Sequence, residues 1–358
     1  MPSARPAATP PRRPPSPEEA LERLWAFCTE RDWEGIDPYD GLRATRPPLR
    51  WLRRTRLGRL ALIQAVRRCP LDLRPLLGIA PHRNPKAVAL GLLAAARLAG
   101  LPRWRPVALA EADRLARLLL ADARSTPSGR GWGYPFDWQS RAFFQPAGTP
   151  TVVCTGFAVR ALDEALGLLG DDLRIAASRA IEHASGFVLG DLRRSEDADG
   201  FCFSYSARDT SRVINATLLG AETVARAARL AGDPTRLEEI RPTLRWALAR
   251  QRQDGGWPYG LGPSHGFEDA FHTGFNLLSL RAVRQAAGVL GVDVETLVPH
   301  GRLLAGYRHY ARAFFDSDGR AWYYRDRPWP LDMHAAAVAI LTHLAFRADD
   351  PQAAERAG

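Results

Sequence analysis

An aromatic loop with glycine in it or within two residues of its start occurs four times in this chain, and a long apolar helix pattern follows each one within about twenty residues. The loops begin about 55 to 70 residues apart, a period that fits two helices and their connection. Stacked helical hairpins repeat the same direction, so the helix N-termini gather at one end. The loops are 131–141 (GWGYPFDWQSR), 201–209, 255–260 and 321–327, and the helices open at Cys154, Ile214, Phe271 and Asp332. This pattern predicts one shared pocket lined by aromatic and polar side chains.

Helical periodicity dominates the rest of the chain. Apolar residues recur at three- and four-residue spacing over 88–100, 107–123, 155–170 and 215–232, while sustained strand alternation is nearly absent. Two weaker motifs, at 36–42 and 84–93, extend the series to six hairpins. The predicted fold is therefore an all-α (α/α)6 toroid, a six-hairpin barrel with aromatic-rich loops at one end. We expect one domain over 18–350, a disordered Pro/Arg-rich tail over 1–17 and a flexible tail over 351–358.

Apolar runs and cysteine usage indicate the cellular compartment of the protein. No stretch reaches eighteen apolar residues without a charge, and the N-terminal segment lacks the apolar run of a signal peptide. The four cysteines are scattered and form no CxxC pair, which favours free thiols in a reducing compartment. These cysteines are Cys28, Cys69, Cys154 and Cys202. We expect a cytoplasmic protein.

The formal net charge of +10 comes almost entirely from arginine, because Lys86 is the only lysine. The segment 50–68 concentrates this charge. It is either an amphipathic helix with a solvated basic face or a peripheral contact for anionic lipid or an acidic polymer. Nucleic acid is disfavoured as a partner, since the aromatic residues are not interleaved with the arginines.

The predicted pocket suits carbohydrate, because sugars require aromatic faces together with hydrogen-bonding groups. The alternative is that the aromatic rings only pack the loops onto the toroid rim. The candidate substrate-binding residues are Trp132, Tyr134, Trp138, Gln139, Tyr205, Asn215, Trp257, Tyr259 and Asn276. We therefore expect an oligosaccharide or polysaccharide as the partner; the sequence leaves the oligomeric state open.

The candidate catalytic groups are carboxylates and histidines at the helix openings. Asp269 and His272 are three residues apart and share one helical face, so the carboxylate can raise the basicity of the imidazole. Asp332 and His334 are two residues apart, which suits a capping aspartate beside a histidine that faces the pocket. Both aspartates have helix capping as their alternative role.

Two classes of reaction remain open for these groups. Asp137 and Asp209 could act as the carboxylate pair of a glycosidase. His272 and Tyr259 could instead abstract and return a proton at C5 of a uronic acid, as in an epimerase or a lyase. A non-catalytic glycan-binding scaffold is the third possibility. The Rossmann fingerprint and the P-loop of nucleotide sites are absent from the sequence.

The stretch QRQDGGW (251–257) resembles the QW repeat of terpenoid cyclases, with Gln251, Gly255 and Trp257 in the pattern Gln-x3-Gly-x-Trp. This repeat is a structural fastener and carries no information about substrate. The acidic DxDD cluster of class II cyclases is absent, and DADG (197–200) and DSDG (316–319) lack its trailing aspartates. Terpene cyclisation is therefore a weaker alternative.

Seven blocks, in the same order along most of the chain, resemble the bacterial polysaccharide-biosynthesis toroid proteins. They include DPYDGL (37–42), WGYPFDWQSR (132–141), GTPTVVCTGF (148–157), FSYSARDTSRVINATLLGA (203–221), QDGGWPYG (253–260), DAFHTGFNL (269–277) and PLDMHAAA (330–337). The resemblance implies a member of the six-hairpin glycosidase and terpenoid cyclase/prenyltransferase fold group. It also implies a role in exopolysaccharide or capsule synthesis, with a glycan that is acidic or lipid-linked as one alternative.

A narrower resemblance concerns zinc. DAFHTGFNLLSL (269–280) and DGFCFSY (199–205) look like the zinc-binding segments of protein prenyltransferase β subunits. Carried over residue by residue, the resemblance makes Asp199, Cys202 and His272 ligands of a catalytic zinc. Asp199 lies one residue farther from Cys202 than the family pattern has it. We therefore expect no cofactor and keep zinc as the alternative.

Overall fold

A computed structural model describes residues 15–47, 49–139, 144–327 and 329–357. Residues 1–14 of the predicted tail, and Ser140 and Arg141 of the first aromatic loop, lie outside the described residues. The helices are α1 (Pro17–Glu30), α2 (Leu49–Leu52), α3 (Arg56–Arg68), α4 (Arg74–Leu77), α5 (Pro85–Leu98), α6 (Arg105–Asp122), α7 (Val152–Ala165), α8 (Asp171–Gly186), α9 (Ile214–Ala231), α10 (Thr235–Ala249), α11 (Ala270–Val289), α12 (Val294–Leu297), α13 (His300–Ala313), α14 (Met333–Ala345) and α15 (Ala353–Ala357).

The chain forms the predicted all-α toroid. Helices α5, α7, α9, α11 and α14 pack side by side as an inner layer, and α6, α8, α10 and α13 cover α5, α7, α9 and α11 from outside. Helices α7 and α9 are buried on nearly all faces, as their apolar sequences require. Each outer helix buries one stripe only. The N-termini of the inner helices therefore open at the same end of the toroid.

The strands are short and lie in the connections, where they pair as two-stranded antiparallel ladders. The pairs are β1 (Glu34–Gly35) with β2 (His82–Arg83), β3 (Arg124–Ser125) with β4 (Arg130–Gly131), β5 (Trp138–Gln139) with β6 (Phe144–Gln145), β7 (Arg194–Asp197) with β8 (Gly200–Phe203), and β9 (Arg212–Val213) with β10 (Gly260–Leu261). Four of the ladders hold residues of the predicted aromatic loops: β3–β4, β5–β6, β7–β8 and β9–β10.

Polar side chains fix where the inner helices begin. Asn84, Thr151, Asp269 and Asp332 each accept a hydrogen bond from a backbone N–H in the first turn of the helix that follows. The four predicted helix openings lie within two residues of the observed ones. The capping alternative for Asp269 and Asp332 is thus observed, and it leaves a second role open to each carboxylate.

The two ends of the chain differ from expectation. Ser16 and Glu19 form a capping box, so α1 begins at Pro17, inside the segment expected to be a disordered tail. At the other end, α15 packs on α14 and buries Ala353 where a flexible tail was expected. The basic segment 50–68 is not one continuous helix. It is divided between α2 and a second helix, α3, which Thr55 caps.

The QW-like stretch fastens two outer helices. The Gln251 amide donates to the carbonyl oxygens of Gly255, at 2.9 Å, and of Arg302, at 3.0 Å. The buried indole of Trp257 donates to the carbonyl of Ala247 at 3.0 Å. These bonds satisfy carbonyl groups at the end of α10 and tie it to α13.

A substitution at Gly306 tests this fastening. A Cβ at Gly306 would stand 2.7 Å from the Trp257 ring and 3.0 Å from Leu277, so we expect Gly306→Ala to destabilise the protein by about 1–3 kcal/mol. Gly301, in the same helix, has no heavy atom within 4 Å of the same position. Gly301→Ala should therefore change stability by about 0.5 kcal/mol or less. Denaturant unfolding measures both variants, and equal effects would contradict the fastening role.

Within the described ranges, no helix combines the length and the apolar character needed to cross a membrane.

Candidate functional site

Three of the four aromatic loops meet the inner helices through the same backbone contact. The N–H groups of Val152, Ile214 and Ala270, each the first residue of an inner helix, donate to the carbonyls of Tyr205, Tyr259 and Tyr323 at 2.9, 3.1 and 2.9 Å. Each bond joins a helix to the loop of the next hairpin. Tyr134 holds the corresponding place in the first loop, but α5 opens with Pro85, which has no N–H.

The tyrosines and neighbouring rings form an aromatic wall at this end of the toroid. The hydroxyls of Tyr134 and Tyr205 are 3.2 Å apart, and the Trp138 ring lies 5.7 Å from Tyr205. The ring centroids of Tyr39 and Trp138 are 6.4 Å apart, in an edge-to-face arrangement. Burial raises the pKa of Tyr134, Tyr205, Tyr259 and Tyr323, which keeps all four hydroxyls protonated at neutral pH. The wall combines stacking surfaces with hydroxyl donors, as a sugar site requires.

Asp269 and His272 form a preorganised pair at the opening of α11. The carboxylate caps the helix by accepting from the backbone N–H of His272 at 2.8 Å, and it contacts Nδ1 at 2.8 Å. A carboxylate only accepts, so Nδ1 carries the proton and Nε2 of the neutral ring is an acceptor. Nε2 has no partner among the described residues, and the side chain is about one-fifth exposed. Tyr259 stands against the ring at 4.6 Å.

His334 and Asp332 form a looser pair at the opening of α14. Nδ1 lies 3.6 Å from the carboxylate, and the imidazole is largely exposed. The His334 contact lowers the pKa of Asp332. Phe271 lies between the two histidines, with its ring 5.0 Å from His272 and 5.9 Å from His334.

Lys86, which the sequence did not mark as a site residue, lies in the first turn of α5 at the same end. Its Nζ is 4.7 Å from the ring centroid of Phe157 and 5.1 Å from that of Phe271. Burial lowers the pKa of Lys86, against the opposing influence of Cys154, Asp37 and Asp332. Its position in the NPK motif at a helix opening was the available signal.

Asp37 is a second group that the sequence did not single out, although it lies in the DPYDGL motif. Its side chain accepts from the N–H of Tyr39 at 2.9 Å and from the amide of Asn84 at 3.4 Å. Burial raises the pKa of Asp37 above its ordinary value.

The predicted tryptophans separate into two groups. Trp132 and Trp257 are fully buried, and the Trp132 indole donates to the carbonyl of Leu119 at 2.7 Å. Their rings have no open face, so they pack the loops onto the toroid, as the alternative interpretation had it. Trp138 remains partly exposed beside the tyrosines.

The predicted glycosidase pair is engaged elsewhere. Asp209 is buried and accepts from the backbone and hydroxyl groups of Ser206 and Ser211 and from the N–H of Tyr205, so it orders its own loop. Asp137 pairs with Arg53 at 3.0 Å and accepts from the N–H of Ala147. These contacts do not favour an acid and base role for the two carboxylates.

Buried amides lie one layer deeper. The Asn215 amide donates to Asn276 Oδ1 at 3.2 Å, which links α9 to α11 across the interior. Gln139 is also buried, and its oxygen accepts from Arg59 at 2.8 Å. These three polar residues are therefore part of the hydrogen-bonded frame under and beside the aromatic wall.

The basic segment lies against the site. Arg53 and Arg59 bond residues of the first aromatic loop, and the Arg67 guanidinium is 5.1 Å from the Tyr39 ring. The predicted amphipathic pattern is present in α3, which buries Leu62 and Val66. Part of its basic face therefore supports the aromatic loops.

The structure does not bring the alternative zinc ligands together. Across the described ranges, no three His, Cys, Asp or Glu side chains are close enough to hold a metal ion. Cys202 is buried against the Thr217 hydroxyl at 2.9 Å, and burial raises its pKa to about 12, which opposes the thiolate that zinc binds. Asp199 instead pairs with Arg250 at 2.9 Å.

Two tryptophan variants separate binding from packing. We expect Trp138→Ala to weaken oligosaccharide binding about tenfold, because it removes a stacking surface and little core. Trp132→Ala should lower the free energy of unfolding by about 3–5 kcal/mol through the cavity that it leaves. Calorimetric titration with neutral and uronic-acid oligosaccharides, beside denaturant unfolding, measures both effects. Unchanged affinity in Trp138→Ala would remove this ring from the site.

No family model and no curated protein matches this chain. Several solved structures are similar to this chain. Cellobiose 2-epimerase from Bacillus thermoamylovorans has 13% identity and a TM-score of 0.53, covering 78% of this chain and 77% of that one. A sugar epimerase from a ruminal bacterium has 13% identity and a TM-score of 0.51, covering 78% and 76%. The unsaturated glucuronyl hydrolase UGL, as a variant with dGlcA-Glc-Rha-Glc, has 15% identity and a TM-score of 0.53, covering 88% and 87%. The chain therefore has the (α/α)6 toroid fold of the six-hairpin glycosidases.

Proposed function

We propose that this protein is a carbohydrate-active enzyme that transfers a proton at a sugar carbon beside a carbonyl or carboxylate group, as epimerases and lyases do. The Asp269–His272 pair carries the proposal. Its carboxylate fixes the imidazole with Nε2 as the acceptor, which is the arrangement of a general base. Two of the similar structures are sugar epimerases, which supports the same class of chemistry.

The surrounding side chains supply the rest of the reaction. His272 Nε2 removes the proton from carbon, and the electron pair of that bond moves toward the adjacent carbonyl oxygen. Tyr259, in contact with the imidazole, is a protonated hydroxyl able to donate to that oxygen. Proton delivery to the opposite face inverts the carbon, with His334 beyond Phe271 as the donor and solvent restoring both imidazoles, whereas loss of a neighbouring substituent gives a lyase product.

The glycan context follows from the resemblance to polysaccharide-biosynthesis proteins. We place the protein in exopolysaccharide or capsule synthesis in the cytoplasm, with an acidic or lipid-linked glycan as substrate. The arginines of α2 and α3 that border the aromatic loop are suited to an acidic glycan, and the rest of the 50–68 segment to contact with an anionic membrane.

Glycan hydrolysis is the second candidate, and one observation favours it. Asp37 has a raised pKa through burial, which is the property of a general acid that protonates a leaving oxygen. UGL, which shares the fold, is a hydrolase by name.

The experiment that tests the proposal is product analysis by NMR. The full chain is incubated with reducing disaccharides and with uronic-acid oligosaccharides. Inverted configuration at C2 or C5, or a new unsaturated sugar, is the expected result. Cleavage with retained configuration at these carbons would favour the hydrolase, and an absence of any product would overturn both candidates.

A further inference from the structure

We propose that Lys86 is a nucleophile that forms an imine with the carbonyl carbon of an open-chain sugar at this site. The inference rests on the proposed function, because a sugar with a free carbonyl offers the atom that an amine attacks. It adds a covalent step that proton transfer by His272 does not by itself require.

The basic composition of the chain singles out this position. All but one of the 49 Lys and Arg residues are arginine, and the exception lies at the opening of α5 beside the aromatic wall. A guanidinium stays protonated in proteins, whereas an ammonium group loses its proton when it is desolvated. A lysine in this chain therefore supplies an amine that none of the arginines can supply.

The surroundings of Lys86 are those of a reactive amine and not of a structural ion pair. Nζ forms neither an ion pair nor a hydrogen bond with any described side chain. Lys86 is partly buried and keeps part of its surface open to solvent. A buried ammonium without a partner is costly, so a purely structural role would favour an apolar residue here.

The same surroundings suit the charge of the product. An iminium ion is a cation, and the faces of Phe157 and Phe271 stabilise a cation at this point. Asp332 favours a cation at this position, and so does Asp37 once it has given up its proton. The Asp332 carboxylate would repel an anionic ligand of an ammonium, which favours imine formation over a role as an anion anchor.

The proposed step balances without an external oxidant. The neutral amine adds to C1 of the open-chain aldose, and the resulting carbinolamine loses its oxygen as water, with the proton supplied by the Asp37 carboxyl. His272 Nε2 then takes the C2 proton, and the electron pair of that bond forms a neutral enamine. His334, beyond Phe271 from His272, protonates C2 from the opposite face and re-forms the iminium. Water then adds to C1, a proton returns to Asp37, and the C2 epimer and the neutral amine are released.

Phe271 links the amine to the base. Its ring lies 5.1 Å from Lys86 Nζ and 5.0 Å from the centre of the His272 ring. C1 and C2 of a sugar are one bond apart, so the proposed step requires both groups to reach the same end of one sugar, and both lie about 5 Å from this ring.

The first test measures the reactivity of this single lysine. The full chain is treated with glycolaldehyde and sodium cyanoborohydride, and mass spectrometry follows alkylation at position 86. The control is Lys86→Arg/Arg174→Lys, which carries its one lysine on the exposed side of α8. We expect wild-type Lys86 to react at least several-fold faster, because burial lowers its pKa and leaves a larger fraction of the amine neutral. Equal or slower labelling overturns the inference.

The second test separates catalysis from packing. Solvent deuterium incorporation at C2 of cellobiose and other reducing sugars is measured for Lys86→Ala and Lys86→Arg. We expect both to lose about 10²-fold or more, and added methylamine to restore exchange to Lys86→Ala but not to Lys86→Arg. Full exchange in Lys86→Ala overturns the inference and leaves the proposed function intact. Fast labelling of Lys86 without exchange in the wild type overturns the proposed function instead.

Discussion

Replacing His272 by glutamine is expected to lower the rate of proton transfer by about 10²–10⁴-fold, the usual contribution of a positioned general base. Glutamine keeps the backbone N–H that Asp269 caps, so α11 should remain folded. A glutamine amide cannot accept a proton from carbon at neutral pH. The measurement is the initial rate of epimer formation by NMR, together with thermal unfolding to confirm that the fold is retained.

Two further variants sharpen this prediction. Asp269→Asn keeps an oxygen for the helix cap but places an amide against Nδ1, which moves the imidazole proton to Nε2 and removes the base. A loss of about 10²-fold or more is expected. His300→Gln, at the exposed start of α13, is the matched control and should retain full activity. Equal rates in His272→Gln and His300→Gln would exclude His272 as the base.

The second large effect concerns Glu222, whose loss should destabilise the whole toroid. This buried carboxylate bonds Arg160 in α7, Arg226 in α9 and, at 2.8 Å, the hydroxyl of Ser279 in α11. Glu222→Ala leaves the enclosed guanidinium of Arg160 without a carboxylate and leaves Arg226 with Asp163 as its close partner, and we expect the free energy of unfolding to fall by about 3–5 kcal/mol. Glu238→Ala, which breaks an exposed pair with Arg241, should cost about 1 kcal/mol or less.

The same carboxylate makes the stability of the protein depend on pH. Burial acts to raise the pKa of Glu222, but Arg160 and Arg226 outweigh it and hold this pKa at about 2, below its ordinary value of 4.5. A depressed folded-state pKa gives stability that is present above the unfolded value and is lost as pH falls toward the folded value. We expect a loss of about 3 kcal/mol between about pH 5 and pH 2.

Urea unfolding at a series of pH values measures this loss. Glu222→Gln has no carboxyl group to titrate, so its stability should fall less steeply over this interval than that of the wild type. Parallel pH profiles for the two proteins would show that Glu222 is not the group responsible.

Much of the fold was predictable because the helices of the hairpins can be recognised from local sequence patterns. Apolar periodicity marks the inner helices, and capping residues such as Thr151 and Asp269 fix their starts. The break before α3 was missed, since a capping threonine inside a continuous run of arginine and leucine gives a weak signal. The short helix α15 was missed because five residues give little periodicity, and the helix packs on α14, which local sequence does not reveal.

The site was predictable only where local sequence determines the geometry. The Asp269–His272 pair follows from a spacing of three residues on one helix. The burial of Trp132 and Trp257 did not follow, because loop tryptophans that stack on ligands and those that pack on helices have the same composition. Lys86 and Asp37 become candidates only when distant segments meet at one end of the toroid.

Deuterium incorporation from solvent into reducing sugars and uronic-acid oligosaccharides, followed by NMR with wild type and His272→Gln in parallel, tests proton transfer directly. We predict deuterium at the carbon beside the carbonyl or carboxylate group with the wild-type protein, and a rate lower by about 10²-fold or more in the variant. Deuterium at the same rate in both proteins would contradict the assignment of His272. Its absence from every sugar with the wild type would contradict proton transfer as the function of this toroid.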